Sequence, residues 1–182
     1  MAPQYAFLTR WRVKGTIEEV SEVLDDPLQL PRWWPSVYLE VRELEAGDPK
    51  THVGRIIDLY TKGWLPYTLR WRFKVTESRA PHGFSLVAAG DFVGTGVWTL
   101  EQDGEYANVT YDWRIAADKP LLSYGTPVMR PIFAANHRWA MARGLESLEL
   151  ELRRRRARTD EERGSVPAPP AATFARGRRS SG

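Results

Sequence analysis

From residue 37 to residue 117 apolar side chains recur at nearly every second position, and from 128 onward they recur every third or fourth. A period of two belongs to a strand with one buried face, and a period near 3.6 to a helix with an apolar stripe. The period changes once, after Lys119-Pro120. A chain built this way is predicted to be α+β, with a run of strands forming one sheet and a late helix covering it.

Six strands fit the run, over residues 37–44, 52–61, 65–79, 84–91, 93–101 and 109–115. The gaps hold turn chemistry: Ala46-Gly47-Asp48-Pro49, Lys62-Gly63, Ala80-Pro81-His82-Gly83 and Asp103-Gly104. The third strand alternates most clearly, with Tyr67, Leu69, Trp71, Phe73 and Val75 on one face and Thr68, Arg70, Arg72, Lys74 and Thr76 on the other. Successive strands at hairpin spacing predict an antiparallel meander. A further strand precedes them, with Tyr5, Phe7, Thr9, Trp11 and Val13 on one face. Thr16-Ile17-Glu18-Glu19 then reads as a capping box opening a short helix that Asp26-Pro27 stops. A second short helix or turn spans 28–34. The late helix, over 128–156, is about 42 Å long at 1.5 Å per residue, enough to cross the sheet.

Charge divides the chain. The formal net charge is +3, yet residues 153–182 hold nine arginines against three carboxylates, so residues 1–152 balance at −3. The predicted organisation is a domain over 1–157 and a disordered Arg/Pro/Ser-rich tail over 158–182, too poor in apolar residues to offset its ordering entropy. The tail is expected to make at most weak contact with an anionic surface, and without interleaved aromatics no specific nucleic acid is expected. The absence of cysteine excludes a disulfide scaffold and thiolate chemistry. No stretch approaches the roughly 20 apolar residues of a membrane span, and the first ten residues have no signal-peptide pattern. A soluble, cytoplasmic protein is expected.

The order strand, two short helices, six strands, long helix resembles the helix-grip fold of the START and birch-allergen-like superfamily (SRPBCC). In that fold a curved sheet of about seven strands wraps a long C-terminal helix around a cavity. Local phrases carry the resemblance: Asp25-Asp26-Pro27 with Leu30-Pro31-Arg32-Trp33-Trp34-Pro35, the run Gly90-Asp91-Phe92-Val93-Gly94-Thr95-Gly96-Val97-Trp98, and Tyr111-Asp112-Trp113. Asn136-His137 with Met141 and Gly144 resembles the closing helix. The chain is closest to the polyketide cyclase/dehydrase-like branch, and the resemblance implies an apolar ligand cavity. A fold alone does not specify an activity.

Candidate chemistry is sparse. The three histidines, His52, His82 and His137, fall on different elements without ligand spacing, so neither metal nor cofactor is expected. No serine sits in a Gly-x-Ser-x-Gly turn. The aromatics Phe7, Trp11, Tyr67, Trp71, Phe73, Phe84, Trp98, Tyr111 and Trp113 share the inferred inward face, as core packing or as the wall of an apolar pocket. Asn136 and His137 lie beside the apolar stripe of the late helix, where each needs a hydrogen bond. Trp33 and Trp34 either lid the cavity or plug the open end of the sheet. The expected ligand-binding set is Trp33, Trp34, Tyr67, Trp71, Trp98, Tyr111, Trp113, Asn136, His137 and Met141, with His137 as the candidate catalytic residue. The leading expectation is binding of a hydrophobic or aromatic small molecule, lipid-like or polyketide-like. The alternatives are a polyketide cyclase or dehydratase using the same cavity, with His137 moving protons, and an interaction protein acting through its basic tail.

Overall fold

The computed structural model describes residues 4–117 and 129–173. Lys119-Pro120, Val128 and the tail arginines 176, 178 and 179 lie outside the described residues. Strand β1 (Gln4–Lys14) leads into helix α1 (Ile17–Leu24), a 3-10 turn (Pro27–Gln29) and helix α2 (Leu30–Trp33). Strands β2 (Tyr38–Glu45), β3 (Ile56–Lys62), β4 (Thr68–Ser78), β5 (Gly83–Gly90), β6 (Phe92–Asp103) and β7 (Tyr106–Ala117) follow, then helix α3 (Met129–Arg156) and helix α4 (Asp160–Ser165). All pairings are antiparallel, in the order β1-β7-β6-β5-β4-β3-β2. The hairpin meander therefore closes on β1, which pairs along its whole length with β7. The sheet is curved and open, and the architecture is the α+β helix grip.

Local sequence accounts for most of these elements. In β4 the residues Leu69, Trp71, Phe73 and Val75 are buried and Arg70, Arg72, Lys74 and Thr76 exposed, so alternation fixes which face turns inward. At α1 the capping box forms: Glu19 N donates to Thr16 Oγ1 (3.2 Å) and Thr16 N to Glu19 Oε2 (3.0 Å). In α3 the residues Phe133, Met141, Gly144, Leu148 and Leu152 are buried, a stripe at three- and four-residue spacing with His137 in step.

Two boundaries differ from the sequence-based expectation. Strand β3 begins at Ile56, four residues later than expected. The Asp48 carboxylate gathers Lys50 N (2.9 Å), Thr51 N (2.8 Å) and Thr51 Oγ1 (2.9 Å) into a turn, and His52 takes a left-handed φ of 57°. The expected disordered tail contains helix α4, capped where Glu162 N donates to Thr159 Oγ1 (3.1 Å). The chain then runs back, with Arg154 Nη2 donating to Pro167 O (3.0 Å) and Thr173 Oγ1 to Gly63 O (3.2 Å). Polar capping and anchoring replace the apolar burial that this segment lacks.

Three arginines of the run at the end of α3, Arg154, Arg155 and Arg156, are engaged within the molecule. Glu151, 1% exposed, accepts from Arg32 Nη2 (2.6 Å) and Nη1 (2.9 Å), Arg155 Nε (2.9 Å) and Arg154 Nη1 (3.4 Å). Burial pushes its pKa up, but the guanidiniums of Arg32 and Arg155 outweigh that and hold the carboxyl below its ordinary range. Arg156 clamps Glu19 (2.7 Å to each oxygen) and donates to Lys14 O (3.0 Å), tying α3 to α1 and β1. Among the described residues no helix is long and apolar enough to cross a membrane.

Candidate ligand cavity

The concave face of the sheet and the first half of α3 do not meet everywhere. They leave a cavity of about 130 Å³, counted as space open to the centre of a water molecule. One water needs on the order of 10–15 Å³ of such space, so roughly ten waters, or an organic molecule of about 300 Å³, would fit. Its wall is mostly aromatic and aliphatic, as in small-molecule sites generally.

Eight of the ten expected binding residues line this space: Trp34, Tyr67, Trp71, Tyr111, Trp113, Asn136, His137 and Met141. The other two do not. Trp33 is fully buried beside Trp34, with ring centroids 5.4 Å apart. Trp98 lies behind the wall, stacked on Tyr111 at 4.0 Å. Trp98 also meets Trp11 (5.6 Å), and Trp11 meets Trp34 (5.9 Å), so one aromatic layer backs the cavity wall. Of the other aromatics expected on the inward face, Phe7 lines the cavity while Trp11, Phe73 and Phe84 pack elsewhere in the core.

Trp34 is 2% exposed and its Nε1 is sealed without a hydrogen-bond partner among the described residues, as are Trp33 Nε1 and Tyr5 Oη. Both indoles of the Trp33-Trp34 pair are thus built in as a plug beneath α3. Gly144 makes room for this: a Cβ there would lie 2.3 Å from Cζ2 of Trp34.

The helix residues are anchored in two ways. Asn136 Oδ1 accepts Trp64 N (2.9 Å) and Leu65 N (3.3 Å), pinning the β3–β4 loop to α3. His137 stacks on Phe7 (4.3 Å, 17°), and its Nε2 lies 3.3 Å from Thr9 Oγ1. Burial, with a smaller contribution from the Arg138 charge, pulls the imidazole pKa down to about 4, so it is neutral at pH 7. The hydroxyls of Tyr38, Tyr67 and Tyr111 make no hydrogen bond to a described residue. Burial raises all three, with Tyr67 pushed up to about 12 and Tyr111 raised further by nearby Tyr38. They are fixed as neutral donor–acceptor groups.

Several lining residues escaped the sequence reading: Tyr5, Val37, Tyr38, Thr61, Lys62, Phe92 and Phe133 among them. Tyr38 opens the edge strand β2, whose other residues are largely exposed. Thr61 accepts the indole N–H of Trp71 (3.0 Å). Lys62 sits where alternation predicts an outward side chain, yet it is 8% exposed. Asp91 and Asp112 do not line the cavity: Asp91 accepts Arg70 N (2.8 Å) and Asp112 is paired with Arg114 (3.0 Å). Among the described residues no group of three His, Asp or Glu side chains is placed to hold a metal ion.

Solved structures share this architecture at low identity. TTHA0849 from Thermus thermophilus superposes with a TM-score of 0.65 and 12% identity, over 84% of this chain and all of that one. The Zhui aromatase/cyclase from Streptomyces sp. R1128 gives 0.62 and 18%, over 86% and 98%. A STAR-related lipid transfer protein from Xanthomonas axonopodis gives 0.52 and 16%, over 81% and 85%. At such identities these likenesses speak for the fold alone. No curated protein matches the sequence. The sequence pattern over residues 9–153, which spans all of the sheet but the first half of β1, the Trp33-Trp34 plug and nearly all of α3, matches the family of polyketide cyclase/dehydrase and lipid transport proteins, and the chain belongs to that family.

Proposed function

We propose that the protein binds a hydrophobic or aromatic small molecule, lipid-like or polyketide-like, in the cavity between the sheet and α3. One observation carries this reading: an aromatic cavity inside the fold that presents three tyrosine hydroxyls without partners among the described residues. Plain core packing would close the space, because empty volume forfeits dispersion contacts. In this reading Trp71, Trp113 and Met141 supply apolar contact, while Tyr38, Tyr67 and Tyr111 orient ligand oxygens. His137 acts as a neutral wall group held by Phe7 and Thr9. The test is fluorescence titration of the full chain with a panel of fatty acids and fused-ring phenols. Saturable quenching is expected in the wild type, and an Ala140→Phe variant, which projects a ring into the cavity, should lose it. Equal quenching in both would place the ligand elsewhere.

A second reading is cyclisation or dehydration of a poly-β-keto chain in the same cavity. What favours it is that an imidazole and protonated tyrosines share one apolar wall, an arrangement able to move protons once a substrate bridges them. It requires that His137→Phe abolish turnover of a poly-β-keto thioester analogue while leaving product binding intact.

A further inference from the structure

The β3–β4 loop is cavity wall and molecular surface at once. Gly63 lines the cavity, as does Asn136, whose amide packs on it so closely that a Cβ at Gly63 would have no room. Trp64, the next residue, is 37% exposed. A single thickness of chain therefore separates the cavity from the outside here. Side chains hold that chain in place. Asn136 Oδ1 accepts Trp64 N (2.9 Å) and Leu65 N (3.3 Å), Lys62 Nζ donates to Leu65 O (3.0 Å), and Thr173 Oγ1 donates to Gly63 O (3.2 Å). These contacts come from α3, from the end of β3 and from the C-terminal segment. Unlike the bonds of a strand ladder they can break separately, each at the modest net cost of one hydrogen bond.

The contact from Thr173 reaches the loop from the far end of α3. Arg154 Nη2, near that end, donates to Pro167 O (3.0 Å). Five helical turns, about 27 Å, lie between Arg154 and Asn136, whereas the chain from Pro167 to Thr173 reaches at most about 21 Å. The segment must therefore run back along α3 nearly extended, the long Arg154 side chain making up the difference. Pro167-Ala168-Pro169-Pro170 suits that path, because proline fixes φ and stiffens an extended chain. Pro169, Pro170, Ala172 and Thr173 are half-buried, so this strap lies on the body of the protein. Helix α4, which leads into it, buries none of its residues. A strap with so little buried surface belongs to the part of a fold that opens most readily.

We propose that residues 166–173 are a latch on the cavity. With Thr173 seated on Gly63 the β3–β4 loop is shut, and lifting the strap frees the loop to swing and pass a guest. Neither the core nor the grip of α3 has to move. This gate rests on the proposed cavity-binding function and adds the route by which the cavity is filled.

The test is stopped-flow mixing of the full chain with 2-naphthol, followed by tryptophan quenching, for the wild type, Thr173→Val and Thr173→Ser. Valine keeps the shape of threonine without its hydroxyl, and serine keeps the hydroxyl. Loss of one neutral hydrogen bond raises the unlatched population by about three- to tenfold. The entry rate constant is expected to rise by that factor in Thr173→Val and to stay at the wild-type value in Thr173→Ser. Entry into Thr173→Val no faster than into Thr173→Ser overturns the latch, since a merely structural tie would lower stability and leave entry unchanged. Saturable quenching of the wild type would then leave the cavity reading standing. No saturable quenching of the wild type overturns both.

Discussion

Gly144 lies where α3 crosses the plug indole, and its missing side chain sets how closely the helix grips the sheet. A methyl group there would stand 2.3 Å from Cζ2 and 2.6 Å from Cε2 and Cη2 of Trp34. Trp34 is itself held by Trp11, Trp33 and Tyr38, so helix and plug must part. Gly144→Ala is expected to destabilise by about 1–3 kcal/mol through overpacking, despite alanine's better helix propensity, as read by urea denaturation. His137 gives a prediction in pH. Its folded pKa of about 4 lies below the ordinary 6.5 because burial penalises the cation. Between those values the unfolded chain binds the extra proton, so this contribution is complete above pH 6.5 and is lost as pH falls toward 4. The window is worth at most roughly 3 kcal/mol at 1.36 kcal/mol per unit. His137→Phe keeps a ring on Phe7 and cannot be protonated, so its stability should fall less steeply from pH 6.5 to 4.5 than the wild type's. Parallel curves would remove the burial account.

At the scale of elements, α3 depends on its charged end as much as on its apolar stripe. Glu151 gathers Arg32 from α2 and Arg154 and Arg155 from its own helix, and those guanidiniums seal it from solvent. Glu151→Gln removes the charge at nearly constant shape. A cost of about 1–3 kcal/mol is expected, the arginines being exposed enough to recover hydration in part. Because the carboxyl is held below its ordinary range, the clamp works above the unfolded pKa and is lost as pH drops through the folded one. The difference between mutant and wild type should therefore shrink below about pH 4.

The elements themselves were largely legible in the sequence, because alternation in β1, β4 and β7 and the stripe in α3 each report one buried face. What escaped shows where periodicity stops carrying information. Lys62 violates alternation at a strand end, where the chain turns and two successive side chains are buried. Tyr38 belongs to an edge strand with little pattern to read. Trp98 and Tyr111 are cross-strand partners on the same inward face, and only packing puts one on the cavity wall and the other behind it. Helix α4 was within reach, since Thr159-Asp160-Glu161-Glu162 repeats the capping signature that located α1.

For the molecule as a whole, the described part of the C-terminal segment is expected to be an addition to the domain rather than part of its core. Helix α4 buries none of its residues, and its return path is held by polar contacts at Arg154 and Gly63. Deleting residues 159–182 should leave a cooperatively unfolding domain, weakened by no more than about 1–2 kcal/mol. Failure of that truncated chain to fold would make the segment part of the core unit. The grip of α3 on the curved sheet, the aromatic layer behind the wall and the neutral tyrosines within it together imply a fold that keeps a space for an apolar guest. Native mass spectrometry of the wild type as purified, beside Ala140→Phe, tests that claim most directly. The account predicts a bound small molecule, or a saturable mass shift with fatty acids or fused-ring phenols, that the filled-cavity variant lacks. A clean unliganded mass with no shift across the panel would contradict it.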